Sequence, residues 1–352
     1  MTRAKALCCW IALAGAPLGL AQSDVSARDL IFRALDQGRT IPLTGVVLYR
    51  RNPRSNDFKT VKVEQSSGRM KMTVLSPLSE QGVTMLDDGK TWTTYLPDSN
   101  WLMVQPSPRL FPVDNAQRKS LADRNYRFTT ERSVVIAGRE TVAIVASPKL
   151  SEMPERRYYF DEANSVMLRL EVGDGANRRL LYDTAEISFP NAVRDEVFQL
   201  RTVKRARKME IEPPMTLERP RTVAREVGFV PVVPDRLPLG FVIQARQVVG
   251  PRDSRYVAIR LTDGLVTATV YQWSTGTGRK LPFEAWASDL LLDEVAFRAD
   301  GELPQPLLDV LAEAFVSTAR KGRMARAEPS LASDLLDMSM GLWVEASADP
   351  RR

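Results

Sequence analysis

Between Thr44 and Val104, apolar and polar residues alternate in short runs. The runs are Gly45 to Tyr49, Phe58 to Glu64, Arg69 to Leu75, Lys90 to Leu96 and Trp101 to Val104. Asn52-Pro53, Ser66-Ser67-Gly68, Asp87-Asp88-Gly89 and Pro97-Asp98-Ser99-Asn100 divide them. A period of two sends successive side chains to opposite faces, so each run predicts a strand with one buried face. Turns about ten residues apart leave no room for crossover helices, so the strands form an antiparallel meander. The apolar side is rich in Met and Trp. Met70, Met72, Trp92, Trp101 and Met103, with Phe111 at the rim, are the candidate lining of a concave apolar pocket. Met adapts its shape to a ligand and Trp offers a large surface. The same side chains would also serve as ordinary core beneath a covering helix.

The pattern changes on either side of this stretch. Ser23 to Gln37 predicts a helix with Ser26 as its cap, an apolar stripe of Leu30, Ile31, Ala34 and Leu35, and Gly38 just past its end. Such a helix would cover one face of the sheet. Three prolines make 105–112 an irregular loop, whose Leu110 and Phe111 either close over the concave face or tuck into the core. Asp114 to Asp123 predicts a short helix. Strands come next at Tyr126–Glu131, Ser133–Ile136, Glu140–Ala146, Arg157–Phe160, Val166–Val172, Arg178–Tyr182 and Thr184–Phe189. About ten strands in one antiparallel sheet must curl.

Pro190 to Gly228 is rich in proline and charge and holds the basic run Lys204-Arg205-Ala206-Arg207-Lys208. That run could dock on an anionic membrane surface or an acidic partner, but a solvated linker face is the reading it favours. Beyond it, Val242–Val249, Tyr256–Thr262 and Val266–Trp273 predict strands, with Thr262-Asp263-Gly264 as a hairpin turn. Ala285–Leu292 and Pro306–Arg320 predict helices, Glu294–Arg298 a strand, and Leu331–Met340 a short amphipathic helix that packs on the body. The fold class is α+β: a large curved antiparallel sheet, open rather than closed, with covering helices, then a smaller α+β domain. The expected divisions are a signal peptide at 1–21, a first domain at 22–210, a linker at 211–228, a second domain at 229–322 and a tail at 323–352.

Composition narrows the function. Arg3 and Lys5 precede an apolar segment from Ala6 to Leu20, and Gly19-Leu20-Ala21 suits cleavage by a signal peptidase. Both cysteines, Cys8 and Cys9, lie inside it, so the exported chain would hold no disulfide. The expected location is the periplasm, and nucleic acid is not an expected partner. The chain has no histidine. Without His or mature Cys, the common zinc, copper and haem ligand sets and His-based catalysis are unavailable. No phosphate-cradling loop, paired-carboxylate motif or nucleophile elbow stands in their place. A non-enzymatic protein without cofactor or metal is expected. The formal net charge of +6 is mild and favours an acidic protein segment or an anionic surface.

Several short stretches in fixed order carry a resemblance. They are Leu237-Pro238-Leu239-Gly240-Phe241, then Thr262 to Tyr271, then Gly301-Glu302-Leu303-Pro304 opening a helix. Earlier, Thr94-Tyr95-Leu96-Pro97 and the hairpin Phe160 to Arg169 fit the same pattern. Over most of residues 28–320 the chain resembles the MucB/RseB family of periplasmic regulators of the envelope-stress sigma factor. Ser274 to Leu292 and the tail beyond Arg320 fall outside the likeness. The resemblance implies a first domain like the LolA/LolB lipoprotein carriers, an unclosed barrel with helices in its concavity. It implies binding of the periplasmic domain of a membrane anti-sigma factor (RseA/MucA-like), which is thereby protected from proteolysis. Release by lipopolysaccharide, lipid or lipoprotein acyl chains is implied by the same likeness. A homodimer is left open, and a LolA-type lipid carrier is the alternative function. Arg252, Arg255 and Arg279 are the candidate partner contacts.

Overall fold

The computed structural model describes residues 26–37, 40–50, 58–110, 114–131, 134–200, 205–210, 215–216, 220–250, 255–275, 290–292 and 294–321. The expected signal peptide, Phe111, Arg252, Arg279 and the tail lie outside these residues. In chain order the elements are α1 (Ala27–Gln37), β1 (Leu43–Tyr49), β2 (Lys59–Ser66), β3 (Arg69–Ser76), β4 (Thr84–Asp87), β5 (Thr91–Leu96), β6 (Trp101–Pro106), α2 (Asn115–Asn125), β7 (Tyr126–Glu131), β8 (Val135–Ile136), β9 (Arg139–Pro148), β10 (Arg156–Asp161), β11 (Met167–Val172) and β12 (Arg179–Ser188). Then come β13 (Arg207–Glu210), β14 (Met215–Thr216), α3 (Pro220–Val227), β15 (Val242–Val249), β16 (Tyr256–Thr262), β17 (Thr267–Ser274), β18 (Leu290–Leu292), β19 (Val295–Gly301) and a last helix, α4, over 305–321.

Thirteen strands form the first sheet, ordered β13-β6-β5-β4-β3-β2-β1-β12-β11-β10-β9-β7 with β8 on β9. The sheet does not close. Its pairings are antiparallel except β13 on β6, which is parallel and makes the sheet mixed. The second sheet has six strands, ordered β14-β15-β16-β17-β19-β18. The fold class is therefore as expected, and three details add to or correct the expected elements. Arg207 and Lys208 of the basic run begin β13, which extends the first sheet at the end of the expected first domain. Residues 220–227, inside the expected linker, form α3 and bury Val223 and Val227. Leu290–Leu292, expected at the end of a helix, is the edge strand β18 paired with β19.

Local chemistry sets the ends of the elements. Ser26 Oγ accepts from the Asp29 backbone N–H at 3.2 Å and donates to its carboxylate at 2.8 Å, a cap for α1. Asp114 caps α2 by accepting from Gln117 N–H at 3.0 Å. At the β16–β17 hairpin, Asp263 Oδ1 accepts from Leu265 and Val266 N–H at 3.0 and 2.7 Å. The next residue, Gly264, sits at φ +108, which only glycine adopts cheaply.

The same hairpin joins the two sheets. Tyr126 donates its hydroxyl to Asp263 Oδ2 at 2.5 Å, and Asn125 Nδ2 donates to the Asp263 and Gly240 carbonyls at 2.7 and 3.1 Å. Burial pushes the Asp263 carboxyl above its ordinary range; burial and the adjacent Asp263 raise the Tyr126 phenol. Arg156, fully buried on β10, donates to Glu302 at 2.6 Å and to the Tyr158 hydroxyl at 2.9 Å. Around these polar contacts, one apolar cluster runs from Ile31 and Phe32 of α1 through Phe160 to Ile259, Phe297 and Phe315. A buried charge is tolerated only when it is paired and hydrogen-bonded, so the shared core fixes the polar contacts as well as the apolar ones.

Candidate functional site

The concave face is readable from strand register. Antiparallel partners point to the same side, so the paired residues Gly45, Val63, Met72, Met85, Thr94 and Met103 form one row across β1 to β6. Met209 of β13 continues it opposite Met103. A second row runs Leu43, Gln65, Met70, Asp87, Trp92, Gln105. Four methionines in one row give this wall unbranched, adaptable side chains.

A cavity of about 660 Å³ opens on this face, within the size range of small-molecule sites. Met70, Met72 and Met85 form one wall, Val47 and Val61 the floor, and Tyr158, Phe160 and Tyr182 the opposite wall. Ile31 and Ala34 of α1 close one end. In the sheet order β10 and β4 stand six places apart, which is about 29 Å in a flat sheet. One cavity touching both requires the sheet to be strongly bent. Met72 and Met85 pack against Val47, Val61 and Val74, and the Met and Trp side chains of this face stay half-buried.

The lining is apolar with a few polar groups. Lys59 and Glu80 pair across one side. Gln65 is buried and donates to the Ile41 carbonyl at 2.9 Å. Burial pushes the Tyr182 phenol up. Such a recess recognises methylenes by burial, and a few fixed polar groups orient the occupant.

Of the expected pocket residues, the structure brings Met70 and Met72 into the lining. Trp92, Trp101 and Met103 lie on the same face but past the cavity, on β5 and β6, where all three are half-buried. They prolong the apolar surface toward the open edge of the sheet. The proline loop that follows β6 is held by Arg109, whose Nε pairs with the buried Asp87 at 2.9 Å, while Leu110 is exposed. Arg255 is largely buried and its guanidinium pairs with Glu226 of α3. Sequence reasoning missed Ile31, Tyr158, Phe160 and Tyr182 as lining. The alternation Tyr158, Phe160 was visible, but only the long-range pairing of β1 with β12 brings that wall round.

No protein-family model matches the chain, and no curated protein matches it. Solved structures do. A crystal structure of MucB matches with a TM-score of 0.54 at 16% identity, covering 82% of this chain and 96% of its own. The complex structure of Pseudomonas aeruginosa MucA/MucB matches with a TM-score of 0.54 at 16% identity, over 81% of this chain and 96% of the other. MucB in complex with MucA(peri) gives 0.53 at 15% identity, over 82% and 97%. The bent open sheet, the second sheet docked on it and this coverage together give the chain a MucB-like fold.

Proposed function

We propose that this protein is a non-catalytic regulator that holds the periplasmic segment of a membrane anti-sigma factor and shields it from proteolysis. The observation that carries the reading is the MucB-like fold over 82% of the chain, in a group of structures that includes MucB in complex with MucA(peri). The apolar cavity supplies the release signal. An acyl chain, from lipopolysaccharide or another envelope lipid, enters between the Met70–Met72 wall and the Tyr158–Phe160 wall. Trp92, Trp101 and Met103 take the part that extends past the cavity. A ligand that favours the partner-free state dissociates the complex by as much as its affinities for the two states differ. Export through a signal peptide at residues 1–21 puts the molecule in the compartment where such a partner and such a lipid meet.

A lipid or lipoprotein carrier of the LolA type is the second reading, favoured by the cavity taken alone. Carriage needs only the recess. The second sheet, joined to the first through one core, counts for the regulator. The test is a protease-protection assay with the cognate anti-sigma segment and its site-one protease. With this protein in excess, the half-life of the segment should lengthen about tenfold or more, as mass action requires when only the free segment is cleaved. Added acyl-chain lipid should restore cleavage. A segment cleaved equally fast with and without this protein, and unbound at micromolar concentration, contradicts the proposal.

A further inference from the structure

A cleft unrelated to the cavity runs along the second sheet. At one end Phe229, Val230, Val232, Leu292 and Val295 meet Thr318 and Ala319 of α4 around a hollow of about 420 Å³. Val230 and the neighbouring edge residue Leu291 are exposed. Val233 lines both this hollow and a second, of about 680 Å³, so the two lie side by side along the cleft. The far hollow is rimmed by Arg124, Arg236 and Arg246, all exposed, with Asp235 beside them. Arg124 donates to the Gly240 carbonyl at 3.0 Å. The guanidinium groups of Arg236 and Arg246 make no hydrogen bond or ion pair among the described residues. The cleft wall is built to stay in place. The buried Gln272 side chain accepts from Val232 N–H at 2.9 Å and donates to its carbonyl at 2.7 Å.

The described part of α4 ends at residue 321, two residues past Ala319 in the apolar hollow. The remaining C-terminal sequence has the complementary chemistry, with acidic and apolar residues interleaved. From Ala327 to Pro350 it carries Glu328, Asp334, Asp337, Glu345 and Asp349 and not one Lys or Arg. Between the acids stand Leu331, Leu335, Leu336, Leu342 and Trp343. We propose that the C-terminal segment 328–345 of this same chain folds back into this cleft, its leucines in the apolar hollow and Asp334 and Asp337 on Arg236 and Arg246. Reach is ample. The thirteen residues from Lys321 to Asp334 span up to about 45 Å extended, against a radius of gyration of about 13 Å for a hundred-residue module. Apolar burial supplies the affinity and the rim charges set direction, because exposed ion pairs are individually weak. Tethering makes the contact intramolecular and hence independent of protein concentration. The result is a built-in occupant at the junction of the two sheets, and an acidic partner segment would have to displace it.

The test is hydrogen exchange on the full chain and its variants, read at 229–236 and 290–297. Leu335→Asp with Leu336→Asp should speed exchange there about tenfold, and the wild-type protection should stay constant over about a hundredfold range of protein concentration. Asp334→Arg with Asp337→Arg should lose protection too, and adding Arg236→Glu with Arg246→Glu should restore it. Exchange equal in the wild type and the leucine variant overturns the proposal, since the tail is then solvated. Protection that fades on dilution overturns it in favour of a second copy's tail. Failure of the reversed charges to restore protection removes the arginines as its site.

Discussion

Gly264→Ala should cost about 3–5 kcal/mol of stability and loosen the two sheets from one another. At φ +108 a side chain is strained whatever surrounds it. Here the surroundings are also full. A Cβ would lie 2.4 Å from Ala122 N and 2.8 Å from both Ala122 Cα and the Arg118 carbonyl oxygen. These are backbone atoms of α2, so no rotamer change relieves the clash, and the hairpin must back out of the junction. Retreat would break the Asn125 and Tyr126 bonds to Asp263 and take the Tyr126 hydroxyl from Oδ2 of its carboxylate. Gly89→Ala is the matched control. Its φ is +87 but nothing lies within 4 Å, so only the strain is felt, about 1 kcal/mol. Urea unfolding separates the two. A Gly264→Ala midpoint as close to wild type as that of Gly89→Ala would mean the sheets are not locked at this hairpin.

Met72→Arg should weaken binding of an apolar chain about a hundredfold, or roughly 3 kcal/mol, by setting a charge on the wall that the ligand must cover. Met72 is half-buried in the four-methionine row, flanked by Val63 and Met85, so the folded protein tolerates the change better than the ligand does. Arginine can turn its head toward water, which limits the loss but still occupies the recess. Thr73→Arg, one position along β3, points to the opposite face and should leave binding unchanged. Displacement of a fluorescent fatty acid reads both. Equal loss in the two variants would trace the effect to net charge and not to the cavity.

Much of this architecture is legible in the sequence because it is locally encoded. The Asp-Gly turn at 263–264, the Ser26 and Asp114 caps and the alternation of β1 to β3 each arise from a few adjacent residues. The strand β4 does not stand out, since Thr84–Asp87 is only four residues long. Nor does β13: Arg207-Lys208-Met209-Glu210 has no apolar alternation, and it is a strand because β6 offers a free edge. Leu290–Leu292 is uniformly apolar, and a run without a period does not distinguish helix from strand. For the site, sidedness puts Met70, Met72, Trp92, Trp101 and Met103 on one face, as the registers have it. Where the cavity ends on that face depends on how far the sheet bends and on where α1 lies. Both depend on contacts between residues far apart in the chain, which composition and period do not carry.

The central claim is that the bent face is a recess for apolar cargo, and calorimetric titration with saturated fatty acids of increasing length tests it most directly. Each added methylene should raise affinity about fourfold, the equivalent of 0.8 kcal/mol, until the cavity is full, after which the gain should level off. Affinity that ignores chain length, or no binding at any length, would contradict it.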